Sequence, residues 1–237
     1  MSGSGNRNKN GSGSCFGNCL RQWSENCSGK GRENGIWKCL CIFICMVILT
    51  ATCSTLEASN SDQSSLLNQL QGKQFLDSSG HTHSAPDWKD KRAIVFIFLG
   101  IDCPISNRYS PELNQIFSHY SKQGVVLYGV HSDTTVTKQQ ARAHDAEYSL
   151  QFPVLLDSSL DLAKTLGATV TPEAVVLSGT GIPLYRGRID NLYITFGLMR
   201  PRATVNDLRT VLDNAVSGKA SPYTSSTPVG CFIPIAR

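Results

Sequence analysis

Apolar and polar positions recur along this chain with two periods, and the switches between them mark its elements. Residues 93–99 form an unbroken apolar run rich in Ile, Val and Phe, the pattern of a strand buried on both faces. Gly100 ends it. Downstream, Ile105, Tyr109, Leu113, Ile116, Phe117 and Tyr120 recur at spacings of three and four, so they share one face of a predicted helix. Residues 125–130 predict the next buried strand, and Asp133 is placed to cap a helix running to about Tyr148. Residues 154–156 predict a short strand, followed by a helix that Asp157 caps and Gly167 ends. Residues 175–177 and 184–188 predict a hairpin around the turn 178–181, and Pro183 suits an edge strand. Val205, Leu208, Val211, Leu212 and Val216 predict a last helix, closed by Gly218. Strands alternating with helices predict an α/β class.

The pattern before residue 72 is different. Residues 1–38 are rich in Gly, Ser and Asn, a composition that cannot bury a core and predicts a disordered basic leader. Residues 39–56 carry no charge and are mostly apolar, which predicts a signal or membrane-anchor segment. Residues 57–71 read as a Ser/Asn/Gln linker, 72–218 as the folded domain, and 219–237 as a tail. Charge sharpens this division. Of 22 basic and 18 acidic residues, six and two precede position 39, leaving sixteen of each beyond it. A basic leader before an apolar run predicts a cytoplasmic N-terminus and export of the downstream chain, to the periplasm or a membrane-anchored position beyond the membrane. A folded part without basic excess argues against nucleic acid as a partner.

Cysteine placement brings in chemistry. Seven of the nine lie at or before position 53, and only Cys103 and Cys231 lie beyond it. The spacing of Cys15, Cys19 and Cys27 fits no common zinc finger. His81 and His83 read as loop histidines rather than metal ligands. Cys103 is placed where a buried strand turns into a helix N-terminus, whose unpaired N–H groups favour a thiolate. It is the candidate nucleophile. Asp102 beside it opposes ionisation, and Arg108 is placed to compensate.

Strand, then Cys103-Pro104-Ile105-Ser106, then a helix carrying Pro111 resembles the active-site segment of the thioredoxin-like redoxins, including the AhpC/TSA and TlpA-type branches. Val170-Thr171-Pro172-Glu173-Ala174 before an apolar strand is similar to their cis-proline loop, and residues 74–77 with Gly80 to their opening hairpin. The resemblance covers roughly residues 72–217. It implies a thioredoxin-like fold, a central mixed sheet flanked by helices, and thiol–disulfide exchange without a cofactor. It also implies thiol or disulfide substrates, protein or small molecule, and a separate thiol reductant, with Pro104, Thr171 and Pro172 lining the substrate site.

The departures define the alternatives. Ser106 stands where a second cysteine is usual, so a resolving thiol must come from elsewhere. Cys231 is the candidate, either docked by Phe232 and Ile233 or in a loose tail without a part in the mechanism. Gly100 and Phe96 stand where peroxidases carry threonine and proline, which argues against a peroxidase. A copper module of the Sco type, using Cys103, Cys231 and His131 or His144, is a second class. A redoxin scaffold that only binds is a third.

Overall fold

The computed structural model describes residues 65–219 and 222–235. The expected leader, the apolar segment 39–56 and the seven N-terminal cysteines lie outside them. Among the described residues, no helix is long and apolar enough to cross a membrane.

A short helix, α1 (Ser65–Leu70), comes first, followed by the hairpin of β1 (Gln74–Leu76) and β2 (Thr82–Ser84). The expected linker therefore ends in helix, and Leu70 is fully buried. Next come β3 (Ala93–Phe98), α2 (Pro104–Arg108), α3 (Ser110–Tyr120) and β4 (Val125–His131). After these come α4 (Lys138–Glu147), β5 (Val154–Leu156), α5 (Asp161–Leu166), β6 (Val170–Thr171), β7 (Glu173–Ser178) and β8 (Pro183–Gly187). An exposed ribbon of β9 (Tyr193–Thr195) and β10 (Leu198–Met199) leads to α6 (Asp207–Val216). The tail contributes β11 (Thr224–Ser225) and β12 (Cys231–Phe232).

The central sheet runs β11-β8-β7-β3-β4-β5. β3 pairs parallel with β4 and antiparallel with β7, so the sheet is mixed, as a thioredoxin-like fold requires. Every residue of β3 is buried. Val95 and Ile97 join one core with Leu113, Ile116 and Leu212, while Ile94, Phe96 and Phe98 join the other with Trp88, Leu162 and Leu177. Period-two alternation thus serves two apolar layers at once.

Several local expectations shift. The helix after Cys103 is broken at Tyr109, because Pro111 has no N–H to give the Asn107 carbonyl; the Tyr109 N–H turns to Asn107 and Ser106 instead. Asp133 caps no helix: its carboxylate binds the Thr135 N–H and hydroxyl. The cap of α4 is Thr137, in a reciprocal box with Gln140. Asp157 does accept from the first turn of α5, at Leu162 and Ala163. Val205 lies outside α6, half-exposed, its N–H on the Asn191 side chain. β8 is an edge only at Pro183, since β11 covers Tyr185 and Arg186.

Candidate active site

Cys103 lies five residues beyond β3 and is the N-cap of α2, 2 % exposed. Two internal ties shape its turn. The Ser106 hydroxyl accepts from the Gly100 N–H at 3.2 Å, and the Asn107 side-chain amide donates to the Ile101 carbonyl at 2.8 Å. Gly100 is required for space: a Cβ there would stand 2.8 Å from the Thr171 hydroxyl and 3.0 Å from the Cys103 Cβ. A threonine at this position would require the Thr171 side chain to move.

Across the turn lies the Thr171–Pro172 bond, which is cis. It brings the Thr171 carbonyl to 3.1 Å from Cys103 Sγ, where the thiol donates to it. The tail completes the site. β12 pairs antiparallel with β6, Cys231 opposite Thr171 and Phe232 opposite Val170. The Ile233 N–H donates to the Thr169 carbonyl at 2.9 Å, and the Ile233 side chain is buried. Gly230 permits the approach, since a Cβ there would overlap the Thr171 carbonyl. Cys231 Sγ ends 2.8 Å from Cys103 Sγ, both thiols free. Of the two apolar residues expected to dock the tail, Ile233 does so. Phe232 is 86 % exposed.

The two thiols differ in acidity. Burial opposes the Cys103 thiolate, but hydrogen bonds from the Cys231 thiol, the Ser106 backbone, the Thr171 side chain and the Cys231 backbone outweigh it, and its pKa falls below the usual value. Cys231 is pushed up to about 11 by burial, by giving its proton to Cys103, and by the Cys103 charge.

The other expected residues separate by distance from the sulfurs. Asp102 and Pro104 are exposed, and Asp102, but not Pro104, lines the groove of about 360 Å³ over Cys103 with Thr135, Gln140, Thr171 and Phe232. Arg108 and Pro111 line a different groove, beside Asp190 and Asn206, so Arg108 does not compensate Asp102 at the thiol. His131 lines the Cys103 groove, but its Nδ1 faces the Leu99 carbonyl at 3.1 Å and its Nε2 faces Asp145 at 3.8 Å. A copper set of Cys103, Cys231 and His131 therefore lacks a ring nitrogen directed at the sulfurs. His81 is exposed, whereas His83 is bound to the buried Asp77 at 2.8 Å. Asn107, Ser78 and Asp145 escaped the sequence reading. Asn107, four residues after Cys103 and on the buried side of a helix start, was the one with a local signal.

Comparison with known proteins agrees with this geometry. The AhpC/TSA family model matches residues 67–189, ending before Cys231. A thiol-disulfide oxidoreductase ResA from Halalkalibacterium halodurans is 26% identical over 90 residues, which are 38% of this chain and 50% of that protein. The chain thus spans about half the length of this curated relative. The crystal structure of a hypothetical protein, SMc02350, from Sinorhizobium meliloti 1021 is 25% identical with a TM-score of 0.60, covering 68% of this chain and 89% of that one. An uncharacterized conserved protein from Geobacillus kaustophilus gives 23% and 0.59 over 70% of this chain and 92% of its own, a likeness of fold. With the cysteine at the strand-to-helix turn and the proline loop facing it, the chain belongs to the AhpC/TSA family.

Proposed function

We propose that this protein is an exported thiol–disulfide oxidoreductase with Cys103 as nucleophile and Cys231 as resolving thiol. The observation that carries the reading is the 2.8 Å approach of the two sulfurs, imposed by β12 on β6. The Cys103 thiolate attacks one sulfur of a substrate disulfide, forming a mixed disulfide and releasing the other sulfur as a thiolate that takes up a proton. Cys231, having lost its proton, then attacks Cys103 Sγ. The Cys103–Cys231 bond forms, the mixed disulfide breaks, and the second substrate thiol leaves. Two electrons pass from the protein dithiol to the substrate, and a separate thiol reductant restores the dithiol. Closing from 2.8 Å to the bond length of about 2.05 Å needs a small side-chain movement. Pro104, Thr171 and Pro172 form the substrate wall, by analogy with the family. Export rests on the basic leader and the apolar segment 39–56, with which the protein meets the membrane; a reporter fused after Gly218 is expected to be active outside the cytoplasm.

The test is a single turnover with a disulfide substrate and peptide mapping of the product. The wild type is expected to yield a Cys103–Cys231 cross-linked peptide. Cys231→Ser is expected to accumulate substrate on Cys103. A Cys231→Ser protein that clears its adduct as fast as the wild type would remove Cys231 from the mechanism.

A further inference from the structure

Behind the Cys103 turn, three polar atoms meet with nothing between them. His131 Nε2, His144 Nδ1 and Asp145 Oδ1 are solvent-inaccessible and have no hydrogen-bond partner. They lie within 4.8 Å of one another, with Asp145 Oδ1 at 3.8 Å from each ring nitrogen. Those distances are too long for hydrogen bonds. Both histidines are less than 5 % exposed.

The opposite ends of these side chains are all engaged, which fixes where the proton sits in each imidazole when the ring is neutral. His131 Nδ1 is 3.1 Å from the Leu99 carbonyl, so this nitrogen carries the proton and Nε2 is an acceptor. Asn107 is oriented by its donation to the Ile101 carbonyl, which turns its Oδ1 to His144 Nε2 at 2.8 Å. His144 Nε2 therefore donates, and Nδ1 is an acceptor. The Ser78 hydroxyl donates to Asp145 Oδ2, leaving Oδ1 free. With both rings neutral, three acceptors converge on one point, a costly arrangement that a bound cation, or a proton on one ring, relieves.

We propose that His131, His144 and Asp145 bind one divalent first-row cation, zinc by preference. Two imidazoles and one carboxylate are a zinc donor set that leaves a fourth position for water. Partners on the far nitrogens and oxygen are what metal-binding histidines and carboxylates carry. Zinc at about 2.0–2.1 Å holds tetrahedral ligands about 3.3 Å apart, so the 3.8 Å separations close by about half an ångström and the two histidine nitrogens, within 4.8 Å of each other, by up to about 1.5 Å. The ligands come from the end of β4 and from α4, and their supports from Leu99, Ile101 and Ser78. The ion would thus tie the Cys103 turn to α4 and to the segment after β1. This site differs from any copper set built on the thiols and does not depend on the redox reading.

The test uses the full chain, reduced and stripped of metal, with cobalt as the probe. One equivalent should give visible d–d bands without the thiolate charge-transfer absorption that a cysteine site would add. Cys103→Ser and His81→Ala should keep this equivalent, Asp145→Ala and His144→Gln should lose it, and Asn107→Ala should bind about tenfold more weakly. X-ray absorption of the zinc-loaded wild type needs no variant: a nitrogen/oxygen shell with two imidazoles is expected. The proposal fails if the wild type binds cobalt and zinc through sulfur alone, if it binds neither, or if the sulfur-free equivalent survives in folded Asp145→Ala or is lost in His81→Ala.

Discussion

Cys103 sits in the turn between a buried strand and a helix, held from inside by Ser106 and Asn107. Cys231 sits in a two-residue strand at the end of an arm, held by β6 and by one buried isoleucine. The same functional group is made the stronger acid in the first place and the weaker acid in the second. The difference lies in what Cys103 receives: it gives its own S–H to the Thr171 carbonyl, but it also accepts from Cys231. Every hydrogen bond that lowers Cys103 favours its charged form, whereas Cys231 is the donor and would lose that bond on ionising. The comparison teaches that burial alone does not decide a thiol's acidity.

The comparison breaks most completely at Cys103. Cys103→Ser is expected to reduce disulfide exchange to the background rate, with Cys231 a poor substitute, because burial still raises its thiol once the contributions of Cys103 are gone. Turnover of a chromogenic disulfide by the full chain checks this. Gly230→Ala comes next. Its methyl overlaps the Thr171 carbonyl, so the arm must shift, at about 1–3 kcal/mol for overpacking. The oxidised protein should then lose its Cys103–Cys231 peptide while Cys103 still forms adducts, as mass spectrometry would show.

Smaller effects sharpen the comparison. In the wild type, the alkylation rate of Cys103 should inflect below the free-thiol value of about 8.5, and that of Cys231 at about 11. The sign is set by the shifts: raising the pH activates Cys103 first and Cys231 last. Cys231→Ala removes a hydrogen bond to a charged group, worth about 1.5–3 kcal/mol, and should raise the Cys103 inflection by about one to two pH units. Cys231→Ser keeps a donor and should move it less. The smallest change is Ser106→Ala, which deprives the Gly100 N–H of its partner. It should cost about 1 kcal/mol in denaturant unfolding, with exchange retained.

What could be read from the chain was what is local. The apolar run of β3, the cysteine after it and the Thr171-Pro172 pair each announce themselves within a few residues, and together they imply the fold. The arm does not. β11 and β12 are two residues each, and Thr224, Ser225 and Phe232 are exposed, so no periodicity marks them. Their place is set by partners distant in sequence, Tyr185 and Thr171. Cys231 was legible as a leftover thiol with Phe232 and Ile233 as candidates to dock it; that Ile233 alone does so was not. The histidine cluster was hidden for the same reason, since β4 and α4 bring together residues whose spacing resembles no metal motif.

The pairing of β12 with β6 has a kinetic consequence. It occupies the backbone edge beside Thr171, so an extended peptide adding there would compete with the protein's own tail. Its apparent affinity is the intrinsic one multiplied by the fraction of molecules with the tail released; a released fraction of about 1 % weakens binding about a hundredfold. Arrival is thereby hindered, and departure is helped. Under the proposed resolving role of Cys231, the returning tail would reclaim the edge in the movement that carries Cys231 to Cys103, so expulsion of the guest chain and closure of the ring would be a single event.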